Sequence, residues 1–344
     1  MSIRDFAERL QCPKHSIPLE VPAELLDSGV PWPGGELTCP SGCVFPIVGG
    51  IPRFTQREHY ANAFGLQWRR YQRTQLDSYT GHPISRVRLE RCLGMPLSGL
   101  SDKSVLECGA GAGRFTEWLA DAAGTLVSLD LSDAVDANLK NCAGKKPYLL
   151  LQADIRHMPV PKRAFDVVMC LGVLQHTPSP EESVASLAEY VKPGGTLVID
   201  HYVKRPVFSS AGQYLSMGFP VREVLKRLAP ETGLRATIAL SAICDPIRKR
   251  TSRIPALDLL VSRLLPTACY YKAFPELADD IVREWNELDT HDGLTDWYKH
   301  RRSPAEIDAI VRSVGLETVY CARGGNGVEA RGRRPGSASA SSGT

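Results

Sequence analysis

The chain has 344 residues, about twice the usual single-domain length, so one large domain with an appendage, or two domains, is expected. Its 43% hydrophobic and 23% charged content excludes a wholly disordered, collagen-like or coiled-coil chain. Forty-one Lys and Arg against 38 Asp and Glu leave a formal charge of +3, too weak a bias to argue for nucleic acid by itself. No stretch approaches the roughly 18 apolar residues of a membrane span, and the start, Met1 to Phe6, lacks the apolar core of a signal peptide. A cytoplasmic protein is therefore expected, and the ten cysteines are not expected to form a disulfide framework.

In chain order, residues 1–56 are rich in Pro, Gly and Cys and poor in helical periodicity, as in a small module held by something other than its own core. Cys12 and His15 form a C-x2-H pair, and Cys39 and Cys43 a C-x3-C pair. Four such N/S ligands are what tetrahedral structural zinc takes, and a closed site of that kind leaves no position for substrate. Residues 57–100 read as helical, a linker or lid in which Phe64, Trp68 and Tyr71 share a face.

From Ser104 short apolar runs alternate with amphipathic stretches. Strands are expected at Ser104 to Glu107, Thr125 to Asp130, Tyr148 to Ala153, Phe165 to Leu171 and Thr196 to Asp200, the order of a doubly wound, mostly parallel sheet. Ser179-Pro180-Glu181-Glu182 reads as a helix start with Ser179 as cap, and Lys192-Pro193-Gly194-Gly195 as its stop. Residues 203–302 show helical patterning without a clear strand and are expected to be a helical insertion over the strand ends, where acceptor specificity would reside. Ser303-Pro304 opens another helix, Leu316 to Ala322 and Gly327 to Arg331 supply two last strands, and residues 336–344 form a low-complexity tail. The core is thus read as residues 101–202 and 303–335.

The segment Val105-Leu106-Glu107-Cys108-Gly109-Ala110-Gly111-Ala112-Gly113 takes a strand into a helix through three glycines, where backbone can approach a ligand closely. The spacing is E-x-G-x-G-x-G, not the dinucleotide G-x-G-x-x-G. A carboxylate at the strand end repels a pyrophosphate and suits an ammonium group. Asp130 ends the next strand 23 residues later, where an acid can accept ribose hydroxyls, and Asp154 follows the third. The set Glu107 to Gly113, Asp130, Asp154, Phe165-Asp166-Val167-Val168 and Lys192 to Gly195 resembles the class I S-adenosylmethionine-dependent methyltransferases, especially the ubiquinone and menaquinone methylases.

That resemblance implies a seven-stranded Rossmann-like sheet and S-adenosylmethionine as cofactor. It places the methionine part at Glu107, Gly109, Gly111, Gly113 and Arg114, the ribose at Asp130 with Leu131, the adenine beside Asp154 and Ile155, and the Leu171 backbone against the cofactor. Gln67, Trp68 and Tyr71 resemble an element ahead of the glycine motif in sugar-modifying bacterial relatives, which implies an aromatic contact to the sulfonium. Residues 12–54 are similar to the zinc-ribbon activating subunit of certain tRNA and release-factor methyltransferases.

Methyl transfer from a sulfonium is an in-line displacement that needs alignment and, for a hydroxyl acceptor, a base. His176, His201 and Tyr202, near the carboxyl ends of the fourth and fifth strands, are the candidates, with Asp200 beside them. The expected activity is transfer to oxygen of a small-molecule or glycan acceptor. A zinc-ribbon RNA methyltransferase and a non-catalytic cofactor-binding interaction protein are the competing readings. The basic run Arg248-Lys249-Arg250 with Arg253, next to the apolar stretch Leu257 to Leu265, leaves peripheral membrane contact open. The sequence does not address oligomeric state.

Overall fold

A computed structural model describes residues 1–55, 66–68, 70–204, 217–325 and 327–336; Phe64 of the aromatic element and residues 337–344 of the tail lie outside them. The chain divides into two compact units, one of Met1–Arg57, Ser85–Val203 and His300–Thr344, the other of Glu58–Ile84 and Lys204–Lys299. In the first, α1 (Ile3–Glu8) starts at a Ser2–Asp5 capping box and is followed by α2 (Ala23–Ser28). Three short antiparallel strands come next, β1 (Gly35–Thr38), β2 (Val44–Val48) and β3 (Ile51–Pro52).

After the single turn α3 (Asp77–Thr80) and α4 (Ile84–Leu93), the chain enters the main sheet. Its elements are β4 (Ser104–Cys108), α5 (Thr116–Ala122), β5 (Thr125–Asp130), α6 (Ala134–Asn141), β6 (Leu149–Gln152), β7 (Phe165–Cys170), α7 (Pro180–Tyr190) and β8 (Val191–His201). The seven strands lie in the order β6-β5-β4-β7-β8-β10-β9, where β9 is Glu317–Gly324 and β10 Gly327–Arg333. β4 through β8 pair in parallel, and β10 is antiparallel to both neighbours. The expected α/β doubly wound sheet is thus present, and the pattern that made it readable is plain: all five residues of β4 and all four of β6 are buried, as central parallel strands require.

Strand parity sorts the buried side chains onto two faces. Val105, Val167 and Val198 pack against α4, α5 and α6 on one face; Leu106, Cys108, Leu197 and Ile199 pack on the other with α7 and α12 (Pro304–Ser313). The amino-terminal module joins that second core directly. Phe6 is fully buried and stacks on Phe165 at 4.6 Å between ring centroids, and Leu10, Trp32, Leu37 and Cys39 belong to the same cluster. β8 begins at Val191, five residues before the expected Thr196, so the glycine pair that stops α7 lies inside an irregular strand start whose register with β7 shifts between Phe165 and Val167. Ser179 caps α7 through Glu182 N–H, and Ser303 closes a reciprocal capping box with Glu306.

The second unit is helical among its described residues: α8 (Gly218–Leu225), α9 (Pro230–Thr251), α10 (Pro255–Leu264) and α11 (Asp279–Thr295). Its core is Tyr71, Leu277, Val282, Trp285 and Leu288. Asp245, buried in α9, accepts hydrogen bonds from Tyr271 Oη at 2.6 Å and Asn286 Nδ2 at 2.8 Å, so its charge is satisfied.

Because Phe6 fills a shared core, Phe6→Ala is expected to lower stability by about 3–5 kcal/mol. Urea unfolding followed by near-UV circular dichroism checks this: one cooperative transition at lower midpoint is expected, whereas an unchanged midpoint for the sheet would show the module to be independent of it.

Candidate functional site

β4 lies at the centre of the sheet and ends in the glycine turn, where Gly109 and Gly113 adopt φ of 79° and 100°. A Cβ on Gly109 would come within 2.2 Å of Val173 Cγ2, and one on Gly113 within 2.9 Å of Cys142 Sγ. Both positions therefore exclude side chains by packing as well as by backbone conformation. The N–H groups of Gly109 and Ala110 donate to Leu129 O at 2.8 and 3.0 Å, which fastens the turn to the end of β5.

Glu107 is 2% exposed. Its Oε2 accepts hydroxyl hydrogen bonds from Thr116 and Ser128, both at 2.7 Å, while Oε1 is buried without a partner. Burial pushes this carboxyl up to about 7; the two hydroxyls only partly offset the cost of charging it, and Asp130 adds to the rise. An orphaned carboxylate oxygen under the turn is the kind of acceptor a cationic group would satisfy. Asp130, half-buried, is fixed from two sides: Gly111 N–H donates to Oδ2 at 2.9 Å, and Ser132 N–H and Oγ donate to Oδ1 at 2.8 and 2.7 Å. A carboxylate offers roughly four acceptor positions, so one is left for a ligand hydroxyl, and a second can replace the Ser132 hydroxyl. Leu131 O accepts from Gln152 Nε2 at 3.2 Å.

Asp154 follows β6 and is engaged by Arg156 through its backbone N–H and its guanidinium, at 2.6 Å for Nη2. Ile155 is buried and its carbonyl accepts from Ser186 Oγ. Arg114 donates from Nε to Ser85 Oγ at 3.0 Å and lies over the Phe115 ring. Leu171 is buried at the end of β7, and the next N–H, of Gly172, donates to Asp200 Oδ1 at 2.6 Å. Asp200 also receives Arg88 Nη2 at 2.5 Å. That ion pair, formed by α4 and β8, is a feature sequence reasoning missed. Its carboxylate is fully buried and its guanidinium nearly so. A lone arginine in an Arg-rich helix carries no sign of a partner 112 positions away.

His176 sits in a 3-10 turn, Leu174–His176, after β7; it is 7% exposed and meets the Tyr202 ring edge-to-face at 5.4 Å. His300 N–H donates to the Gln175 carbonyl, and Arg302 N–H to that of Tyr202, so residues 300–302 line the same rim. His201 is fully buried, on the opposite face of β8 from Asp200. Its Nδ1 lies 3.0 Å from Tyr202 O, and since a carbonyl only accepts, Nδ1 carries the proton. Burial lowers its pKa, with Arg302 and His300 opposing protonation. Gln67, Trp68 and Tyr71 belong to the helical unit, where Gln67 is buried and Tyr71 Oη donates to Glu287 at 2.8 Å.

The ligand atoms of Cys12, His15, Cys39 and Cys43 all lie within 4.8 Å of one another. His15 Nδ1 is 3.3 Å from Cys39 Sγ, 3.6 Å from Cys12 Sγ and 3.8 Å from Cys43 Sγ. Ligand atoms around tetrahedral zinc are roughly 3.5–3.8 Å apart, so the cluster matches a closed structural site with His15 as the nitrogen ligand. Burial raises the Cys39 thiol, but hydrogen bonds from His15 and Ser41 N–H outweigh it and bring the thiol down to about 7. The protein purified without chelator is expected to hold about one zinc per chain by elemental analysis, and Cys39→Ser to lose it and melt at lower temperature; a metal-free protein with unchanged melting would remove the assignment.

A family model described as a methyltransferase domain matches residues 106–199. The ubiquinone biosynthesis O-methyltransferase of Azoarcus sp. (strain BH72) is 32% identical over 120 residues, 34% of this chain and 50% of that protein. The protein of the same name from Nitrosomonas europaea is 29% identical over 129 residues, 36% of this chain and 54% of its own. The chain thus spans about half the length of the curated relatives it matches. Among solved structures, magnesium protoporphyrin IX methyltransferase from Synechocystis PCC 6803 with bound SAH gives a TM-score of 0.41 at 15% identity, covering 80% of this chain and 96% of that one. The N-methyltransferase NodS from Bradyrhizobium japonicum WM9 gives 0.39 at 16%, covering 74% and 97%. With the glycine turn and its carboxylates inside or beside the matched segment, residues 106–199 form a methyltransferase domain of the class I S-adenosylmethionine-dependent type.

Proposed function

We propose that this chain is an S-adenosylmethionine-dependent methyltransferase acting on an oxygen nucleophile of a small molecule. The observation that carries the reading is the pairing of Glu107, with its unpartnered buried oxygen, and Asp130, with acceptor capacity to spare, at the carboxyl ends of adjacent strands β4 and β5. Open parallel sheets bind ligands at those ends. The relatives named for ubiquinone biosynthesis O-methylation support oxygen as the receiving atom.

When bound, S-adenosylmethionine supplies an electrophilic methyl group on a sulfonium. The chain's own part is positional and protolytic. Glu107 Oε1 takes the cofactor's amino group, and Asp130 holds the ribose hydroxyls. Arg114, Leu131, Asp154, Ile155 and the Leu171 backbone line the remaining cofactor surface. His176 receives the proton from the acceptor hydroxyl. His201 acts through Tyr202: by donating from Nδ1 to the Tyr202 carbonyl it fixes the backbone that sets the Tyr202 ring against His176. Asp200 is held by Arg88 and Gly172 N–H and serves as a brace, not as the base.

Asp130→Ala is expected to weaken S-adenosylmethionine binding about tenfold or more in calorimetry, as loss of charge-assisted hydrogen bonds implies. His176→Ala should leave that affinity in place and lower turnover about 10²-fold or more, read as labelled methyl transferred into a panel of phenolic and hydroxyl acceptors. Label appearing only in RNA would overturn the small-molecule reading, and unchanged affinity for the Asp130 variant would overturn the ribose assignment.

Glu107 adds a pH signature. Because its folded pKa is raised from 4.5 to about 7, the stability it contributes is fully present below about 4.5 and is lost as pH rises through about 7. A cation placed at Oε1 favours the ionised form, so cofactor binding near pH 6.5 should release a fraction of a proton and tighten as pH rises toward 8. Calorimetry in phosphate and Tris at the same pH is expected to give different enthalpies for the native chain and equal ones for Glu107→Gln. Equal enthalpies for both would separate Glu107 from the cofactor.

A further inference from the structure

The stretch from Met217 to Leu265 holds nine Lys or Arg against four Asp or Glu, so it carries +5 in a chain whose total is +3. Three of its four acids are already engaged. Glu223 pairs with Lys226 and Arg227, Asp258 with Arg248, and Asp245 is buried beneath Tyr271 and Asn286. Arg250, Arg253 and Arg263 are exposed.

α10 lies in this basic surface with its aliphatic side chains in water. None of Pro255–Leu264 is buried; Leu259, Leu260 and Leu264 are 60%, 57% and 57% exposed, and Ile254, which precedes the helix, 54%. On its less exposed side Asp258 meets Arg248 of α9 at 3.2 Å, beside half-buried Val261. Met217 N–H donates to Arg263 O at 2.9 Å, which sets the exposed Met217 and Phe219 beside the carboxyl end of α10. The leucines of this helix thus face outward, against the usual arrangement. A contiguous exposed aliphatic patch marks a binding surface.

The charge selects the occupant. Arg222 and Lys249 are paired with acids outside the stretch, Asp296 and Asp279, which leaves a net +3; a second copy of the chain would bring like charge against like, which opposes such pairing. An anionic bilayer offers phosphates to the arginines and an acyl boundary to the leucines, the two signals that together give stable peripheral attachment. At ten residues α10 is too short to cross, and no helix among the described residues is long and apolar enough to do so. We propose that α10, with Met217 and Phe219 at one end and Arg250 and Arg253 at the other, lies in the plane of an anionic lipid surface and docks the protein there. The proposal does not rest on methyl transfer.

Sedimentation of the full chain with lipid vesicles tests it. Binding to phosphatidylcholine vesicles containing about 30% phosphatidylglycerol is expected, at least about tenfold weaker for pure phosphatidylcholine and in about 0.5 M salt. Arg253→Glu with Arg263→Glu, and separately Leu260→Ser with Leu264→Ser, should each reduce binding about tenfold or more, with unchanged far-UV circular dichroism; Arg253→Lys with Arg263→Lys should retain it. No binding to the anionic vesicles, equal binding to neutral ones, or full binding by either loss variant would overturn the proposal. So would sedimentation velocity showing that the leucines instead hold together an oligomer or a complex with another protein.

Discussion

One buried carboxyl group organises the cofactor end of the sheet. Glu107 Oε2 receives the hydroxyl of Thr116, the first residue of α5, and that of Ser128 in β5. Thr116 Oγ1 in turn accepts from Asn138 Nδ2 of α6 at 2.9 Å, and Asn138 Oδ1 accepts from Tyr148 Oη at the entry to β6. A single acid at the end of the central strand therefore ties two strands, two helices and the approach to a third strand into one polar network. In a low-dielectric interior such a network fixes geometry because each broken bond leaves a desolvated polar atom behind. The glycine turn can stay open to a ligand because what lies beneath it is rigid.

The amino-terminal module and the loop after β5 are linked by the same kind of chain. β3 ends beside β6, the outer strand of the main sheet, and Arg53 and Gln152 form a parallel bridge there. Phe54 N–H donates to Gln152 O, and Arg53 reaches Gln152 Oε1 at 3.0 Å and Asp136 of α6 at 2.5 Å. Gln152 Nε2 then donates to Leu131 O and to Asp133 Oδ1, immediately after Asp130. The amino-terminal module covers a sheet edge that would otherwise expose unpaired backbone groups. The covering strand also steadies the loop that follows Asp130. The module holds this position through Phe6, Leu10 and Trp32 in the shared core.

How much of this was legible in the sequence follows from the range of the forces involved. Strands β4 to β7 are short apolar runs bounded by polar turns, so local composition marks them to within a residue or two. The caps at Ser179 and Ser303 are local as well. The start of β8 was not readable, because Lys192 to Gly195 carries a turn signal and only pairing with β7 and Arg334 extends the strand through it. Nor could composition separate Asp200 from His201. They are consecutive, both near a strand end, and parity sends them to opposite faces. Tyr71 presents an aromatic surface in either of two roles, and its hydrogen bond to Glu287 depends on a residue 216 positions away.

The Arg88–Asp200 pair shows how a long-range contact decides chemistry that sequence leaves open. A carboxylate at the end of β8 looks like a general base, but a base must shed its other partners to take a proton. Asp200 accepts from Gly172 N–H at 2.6 Å and from Arg88 at 2.5 Å, with no exposed side-chain surface. Protonating it would strand a buried guanidinium, whose charged state is favoured by this one acid against the opposing effect of burial. The pair therefore locks α4 to the carboxyl ends of β7 and β8. His201 is removed from contention by a different force, since burial and neighbouring positive charge keep it neutral with its proton committed to a backbone carbonyl. Of the ionisable groups that follow β7 and β8, His176 keeps a ring at the rim, with an aromatic neighbour that fixes its plane. The base assignment thus comes from the constraints on its competitors.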